Sequence, residues 1–397
     1  MHSTRQFVLF VLILGTLTAL GPLTIDMYLP AFPAIGRDFA ALPSTVELSL
    51  SVFLLGLALG QLFYGSIADR FGRKRPLYGG LVVYILTSIA CVFVDSIEHL
   101  ILLRFLQAVG MSAGMVISRT MVRDLFDHTD SARVFSLLML VMGLAPILAP
   151  LAGGHIMIWF GWHAIFWVLS AAGLLCLCAV IFLLPETRHA NPDVKLRRTF
   201  HVYRDILCDP SFLGFALTGG LAMAGLFVYI TGSPFVYMHY FNITPQAYSW
   251  IFGLNAMGLI IVSQINARLV RHYAPDKILG GALIGLAVAG LWLMACGIFH
   301  LGLIPLTIGL FCFLALLGMI APNAMATALL HQGGRAGSAS ALAGTLQFAF
   351  AALASTLLSF LHAQDPLPMT VIVGSCGVFA MLVYSLQKNQ AAAKQPS

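Results

Sequence analysis

The sequence predicts an all-α polytopic membrane protein, with twelve transmembrane helices arranged as two six-helix halves. Three observations lead there. Hydrophobic residues make up 59% of the 397-residue chain, only 9% are charged, and mean hydropathy is +0.92, a balance that a water-soluble globule does not show. The apolar residues come in runs of roughly 20, the length that crosses about 30 Å of hydrocarbon at about 1.5 Å per residue. The charges fall in the breaks between those runs, and they sort by side.

Reading the runs against Pro, Gly and charge breaks gives a first half with spans at 6–28, 46–66, 76–94, 100–121, 134–158 and 163–184. The second half has spans at 211–234, 247–268, 277–299, 303–327, 337–361 and 369–387. Arg5 followed by an apolar run looks like a signal peptide. No small-residue cleavage site follows, and the run continues into Asp26-Met27-Tyr28-Leu29-Pro30, so it reads as a retained first helix. With the N-terminus inside, all of the 21 Lys and Arg except Arg37, Arg104 and Arg119 fall in cytoplasmic segments. That asymmetry follows the positive-inside rule and puts both termini in the cytoplasm.

The stretch from Pro185 to Pro210 is long, polar and basic. It divides the chain into an N-terminal half (1–187), a cytoplasmic linker (188–209) and a C-terminal half (210–397). The second half repeats the first weakly at an offset of about 200 residues, with Asn266–Arg271 falling where Gly65–Arg70 would. Parallel repeats of this kind place a substrate site between the halves, near mid-membrane.

The net charge of +6 punctuates the apolar runs and forms no single basic face, so it reports topology and no nucleic-acid partner. Seven cysteines lie mostly inside apolar segments with no zinc or redox spacing, and read as small hydrophobes. Metal clusters, phosphate loops and nucleophile elbows are absent from the sequence, so no cofactor is expected. An enzyme would need polar side chains clustered at one depth. A sensor would need a soluble domain, and the longest loop is only about 25 residues.

Asp26 in helix 1 and Arg104 in helix 4 are the ionisable residues read as deep in the membrane. Each costs about 2.5–3.5 kcal/mol at a helix centre, so they should face a cavity or each other. The blander readings are that Asp26 caps a loop and that Arg104 snorkels outward. An acid held between desolvation and a nearby cation can accept a proton on one side and release it on the other. Asp26 is therefore read as the proton carrier, with Arg104 tuning it. Gln107 and Met111 share the helical face of Arg104. In helix 5, Pro146 and Pro150 remove two backbone donors on one face, so that helix should bend or loosen ahead of Gly153 and Gly154. Thr231, Asn255, Asn323 and Gln347 either line a cavity or act as interhelical glue at about 0.6 kcal/mol each. Tyr28, Phe227, Tyr229, Phe235 and Trp250 are candidates for an adaptable apolar site.

The segment Gly65-Ser-Ile-Ala-Asp69-Arg70-Phe-Gly72-Arg73-Lys74-Arg75 resembles the loop between helices 2 and 3 of the major facilitator superfamily. Arg104-x2-Gln107-x2-Gly110 resembles the helix-4 motif of proton-coupled facilitators, with Ala108 where a Gly is usual. Ala145-Pro146 through Pro150 to Gly153-Gly154 resembles the antiporter motif of drug exporters, with Ala149 replacing its first Gly. Ile25–Ala31, Gly60-Gln61, Arg123-Asp124, Pro185-Glu186-Thr187, Ser233–Tyr237 and Asn323–Ala326 resemble the bicyclomycin-resistance (Bcr/CflA) branch of drug:proton antiporters.

The resemblance implies the major facilitator fold and an exporter of drug-like small molecules in a bacterial inner membrane, exchanging substrate for protons across the lipid bilayer; the chain is expected to act as a monomer. It implies a cytoplasmic latch between the halves at Gly65, Asp69, Arg70, Gly72 and Arg73, and an antiporter helix carrying Pro146, Pro150, Gly153 and Gly154. The expected substrate cavity draws on Tyr28, Gln61, Gln107, Met111, Phe227, Thr231, Asn255 and Asn323. The rival within transport is a proton symporter importing a small nutrient, against which the helix-5 Pro/Gly pattern argues. A membrane sensor or enzyme is the rival outside it.

Overall fold

Prolines set many of the helix starts. α3 (Pro43–Phe71), α9 (Pro210–Pro234), α10 (Pro245–Leu269) and α11 (Pro275–Ile298) each begin on Pro. There its fixed φ suits the first turn and its missing N–H would have had no partner anyway. The computed structural model describes residues 4–126, 128–187, 196–361 and 365–393. The remaining helices are α1 (Thr4–Asp26), α2 (Phe32–Asp38), α4 (Lys74–Ala90), α5 (Ile97–Leu125), α6 (His128–Phe160), α7 (His163–Phe182), α8 (Leu196–Leu207), α12 (Leu303–Leu329), α13 (Ala336–Phe360) and α14 (Leu367–Ala393). No strand occurs among the described residues. Leaving aside the short α2 and α8, twelve helices among the described residues fall on the twelve expected spans; eleven are long and apolar enough to cross a membrane, and α4, at 17 residues, is the shortest of the twelve.

Ser96, Asp209 and Thr244 cap α5, α9 and α10 by accepting from the backbone N–H of His99 (3.3 Å), Ser211 (2.9 Å) and Ala247 (3.3 Å).

Two local expectations change. Helix 1 was expected to reach residue 28, but α1 stops at Asp26 and gives way to a 3₁₀ turn at Leu29–Ala31 and then α2. Pro30 and Pro33 cannot donate to a continuing ladder and instead start these two new elements. α6 runs as one helix through Pro146 and Pro150. The linker is not simply a polar loop, because its second part folds as α8, whose Tyr203 and Ile206 are buried and whose Tyr203 hydroxyl donates to the Leu62 carbonyl at 3.3 Å. Linker positions 188–195, Lys394 and the side chains of Arg5, Arg197 and Arg198 lie outside the described residues.

The same packing pattern is used twice. α1 packs on α5, α6 and α7, as α9 packs on α12, α13 and α14. α3 and α4 pack on α5, as α10 and α11 pack on α12. Between the halves, α3 meets α13 and α6 meets α10. Lipid gives no hydrophobic drive for helix association, so close approach must come from small side chains. Gly56 and Gly60 of α3 accordingly press on Ala108 and Ser112 of α5.

Phe93, Phe182, Trp250 and Leu175 are 68–78% exposed on the outside of the bundle. Apolar exposure on this scale around twelve helices belongs to lipid, and the protein is a multi-pass membrane protein.

Candidate functional site

Two buried charges meet the end of α1 in opposite surroundings. Arg104, on α5, is 0% exposed. Its Nη1 donates to Gln107 Oε1 at 2.6 Å and its Nη2 to the Thr24 carbonyl at 3.2 Å. Thr24 lies in the last turn of α1, where carbonyls lack an intrahelical partner and a cation is favoured. The guanidinium is also sandwiched by Tyr28 (4.3 Å) and Phe53 (4.2 Å), a geometry worth about 2 kcal/mol when desolvated. Gln107 passes the network on to Ser88 at 2.7 Å, Thr24 bonds the Tyr84 hydroxyl at 2.8 Å, and Tyr28 bonds Ser49 at 2.9 Å. Arg104 therefore neither snorkels nor reaches Asp26. It holds α1, α3, α4 and α5 together, with its Nε alone left unpartnered.

Asp26, the last residue of α1, is 3% exposed, and its carboxylate makes no hydrogen bond or ion pair among the described residues. It borders a cavity of about 100 Å³ walled by α6 (Met142, Pro146), α9 (Tyr229) and α10 (Phe252, Asn255). Asn255 donates to the Tyr229 hydroxyl at 2.9 Å, while its Oδ1 is buried without a donor. The cavity thus presents two acceptors, Asp26 and Asn255 Oδ1, and is otherwise largely apolar.

Gly153 of α6 lies against the Met27 backbone so closely that any side chain there would overlap it, and Gly154 faces Ser249. Ser249 Oγ, on α10, donates to the Pro150 carbonyl at 3.0 Å. The Pro/Gly helix is thus packed at once on the end of α1 and on the other half.

Of the eight residues expected in the cavity, only Asn255 borders it. Tyr28, Gln107 and Met111 belong to the Arg104 side of α1, where Met111 touches Gly21. Gln61 abuts Gly344 across the α3–α13 seam. Phe227 packs on Phe348 at 5.3 Å, Thr231 donates to Ser355 at 3.2 Å, and Asn323 donates to Asn266 at 2.6 Å. These are helix-to-helix contacts. Of the aromatic candidates, Tyr229 lines the cavity while Trp250 faces outward. The sequence reading missed Glu47, an acid buried to 6% exposure in α3. Its position inside the helical run Val46–Phe53 was the available signal.

At the opposite end of the bundle, Gly72 closes α3 at φ 86°, a conformation that glycine adopts freely. Arg73 follows, 3% exposed, with Nη1 on Asp69 at 2.8 Å and Nε on Asp124 at 2.9 Å. Burial opposes its charge, but hydrogen bonds and attraction from Asp124 and Asp69 outweigh it and raise its pKa. Glu186 accepts from the backbone N–H of Arg73 (2.8 Å) and Lys74 (3.1 Å), an anion at the N-terminus of α4. Lys74 Nζ returns to the Leu184 carbonyl at 2.7 Å, near the end of α7. Both carboxylate partners of Arg73 lie in the first half. Arg73 staples α3 to α5 within that half, where a latch between halves was expected. Arg70 rests over the Phe71 ring at 5.4 Å, and no atom lies close to where a Gly65 side chain would start.

The sequence profile of the Major Facilitator Superfamily matches residues 14–356. The chain belongs to the major facilitator superfamily. That is a transporter family, so the enzyme reading falls away. This facilitator is 36% identical over 387 residues to the MFS-type transporter YdgK of Bacillus subtilis (strain 168), covering 95% of this chain and 96% of that protein. It is 33% identical over 386 residues to the bicyclomycin resistance protein homolog of Haemophilus influenzae, covering 97% of each, which supports the branch read from the motifs. Multidrug resistance protein MdtL of Klebsiella pneumoniae (strain 342) is 30% identical over 283 residues, 71% of this chain and 72% of its own. Among solved structures, a bacterial homolog of the lysosomal transporter Spinster superposes with a TM-score of 0.75 at 13% identity, covering 100% of both chains. The xylose transporter XylE of E. coli gives 0.75 at 13% identity, covering 96% and 97%. At these identities the two structures speak for the fold.

Proposed function

We propose that this facilitator exports amphipathic, drug-like molecules from a bacterial cytoplasm in exchange for protons, as a monomer in the inner membrane with both termini cytoplasmic. The observation that carries the reading is that the Asp26 carboxylate, which has no partner among the described residues, lines the same cavity as the unpartnered Asn255 Oδ1, between helices of both halves. Two acceptors lacking a donor in a dry site call for a ligand with a donor or positive charge, or for a proton. Either one satisfies Asp26, so substrate and proton compete for it, and competition for one site is what exchange requires. Relatives named for bicyclomycin and multidrug resistance supply the substrate class.

The cavity of about 100 Å³ is well below the roughly 300 Å³ or more that drug-sized ligands occupy. The halves, 1–187 and 210–397, must part to admit substrate, and the α3–α13 and α6–α10 seams are the surfaces that separate. The Asp69–Arg73–Asp124 network keeps the first half rigid as it rocks. One proton moving down about 150 mV supplies ~3.5 kcal/mol, or a roughly 300-fold substrate gradient.

The test is proton flux in inside-out vesicles holding a pH dye. A bicyclomycin-like, phenicol or sulfonamide compound should drive protons out of the lumen as it enters. Proton movement in the same direction as the compound would establish uptake symport and overturn export.

A further inference from the structure

We propose that the outer end of the protein holds a second site, for an organic cation, with Glu47 as its anionic anchor. The site is a pocket of about 360 Å³ lined by Phe32, Arg37, Val46 and Glu47 from the first half and by Phe235 and His239 from the second. It shares no lining residue with the Asp26 cavity, and unlike that cavity it already has the volume of a small-ligand site.

Glu47 sits one turn inside α3, only 6% exposed. Its backbone carbonyl accepts from Ser51 at 3.3 Å, but its carboxylate makes no hydrogen bond or ion pair among the described residues. A buried carboxylate with no partner is costly, and an arriving positive charge removes that cost. Two other ionisable residues line the pocket, and both are exposed: Arg37 on α2, and His239, which stacks on Phe235 at 5.1 Å. A charge at the solvated mouth interacts weakly, through a high dielectric and salt, whereas Glu47 acts at short range in a dry wall.

The walls decide which cation fits. A metal ion such as Na⁺ or Ca²⁺ needs several oxygen ligands, and the side chains around Glu47 are mainly carbon. An alkylammonium with an apolar body meets the carboxylate with its charge and buries its methylene groups against Val46. Phe32 and Phe235 make that end of the pocket aromatic, a wall suited to a cation with an apolar body. Since the walls come from the outer ends of both halves, a bound cation clamps those ends together. On the exporter reading this is a site where an external cation slows the cycle, but the binding claim itself does not depend on transport.

The experiment uses the full chain in lipid nanodiscs and titrates benzyltrimethylammonium by calorimetry. Wild type should bind saturably. Glu47→Gln should weaken binding by about tenfold or more, the equivalent of ~1.4 kcal/mol, Glu47→Asp should restore part of it, and Asp26→Asn should bind like wild type. Thermal unfolding of each variant confirms folding, and Phe235→Leu, which alters the pocket wall without touching a charge, should weaken binding in a folded background. No saturable binding to wild type, or equal binding by Glu47→Gln, would overturn the site. Loss in Asp26→Asn with Glu47→Gln unaffected would place the cation in the Asp26 cavity and also overturn it. Loss of proton-coupled export with cation binding intact would instead count only against the exporter reading.

Discussion

Asp26 and Arg104 lie on either side of the end of α1 at nearly equal burial, 3% and 0% exposed, yet they differ in what they lack. Arg104 has Gln107, the Thr24 carbonyl and two aromatic faces, and its charge is spent on holding four helices in place. Asp26 has no partner and borders a cavity. Burial alone does not mark a working residue in a membrane. What marks it is an unmet hydrogen-bonding or charge requirement facing space that something else can enter. By the same measure Glu47 sides with Asp26, and Arg73 sides with Arg104.

The contrast can be broken by mutation. The largest effect is expected from Arg104→Leu, which strands Gln107 Oε1 and the Thr24 carbonyl and removes two cation–π contacts. It should cost on the order of 3–5 kcal/mol and appear as a sharply lowered unfolding temperature. A normally stable Arg104→Leu protein would mean that the cluster does not hold the helices together. Arg73→Ala should cost less, about 1–3 kcal/mol, because Asp69 and Asp124 keep 44% and 23% of their side-chain surface exposed and water screens part of the loss.

Asn255→Leu sharpens the other side of the comparison. It removes the second acceptor of the cavity and should weaken binding of a donor-bearing substrate by about tenfold, ~1.4 kcal/mol, with little change in stability. Equal affinity would remove Asn255 from the site. The smallest effect is expected for Glu186→Gln. An amide still accepts from one N–H at the start of α4 but no longer brings charge there, so stability should fall by about 0.3–1 kcal/mol, and less in high salt. A loss that ignores salt would rule out the charge as its cause.

Much of the fold was legible because hydropathy, Pro positions and charge sidedness each act locally. Pro43, Pro210, Pro245 and Pro275 begin helices wherever they fall, whatever the tertiary structure does. The ends of α1 and the helix in the linker were less legible. The first depends on Pro30 and Pro33 being recruited as new helix starts, and the second on α8 finding a surface for Tyr203 and Ile206. The site was legible in residue types and poorly so in arrangement. Asp26 borders the cavity, one of the two surroundings its buried charge allowed, and Pro146 borders it as well, though its motif pointed only to the shape of its helix. Tyr28, Thr231 and Asn323 do not, because a polar side chain in a membrane helix serves equally to bond a neighbouring helix, and only the rotation of that helix decides between the two. Glu47 escaped notice because an acid four residues after a helix-starting Pro looks like an exposed end. Phe235 and His239, on the π-helical turn Phe235–Tyr240 of the other half, line the same pocket as Glu47, a juxtaposition that sequence order does not display.

The most direct test of the central contrast is transport by Asp26→Asn in proteoliposomes, comparing substrate-for-substrate exchange at equal pH with uptake driven by a proton gradient. The account predicts that exchange survives, since the halves and the cavity walls remain intact, while the proton gradient no longer drives accumulation. Gradient-driven accumulation at the wild-type level in a folded Asp26→Asn protein would contradict it.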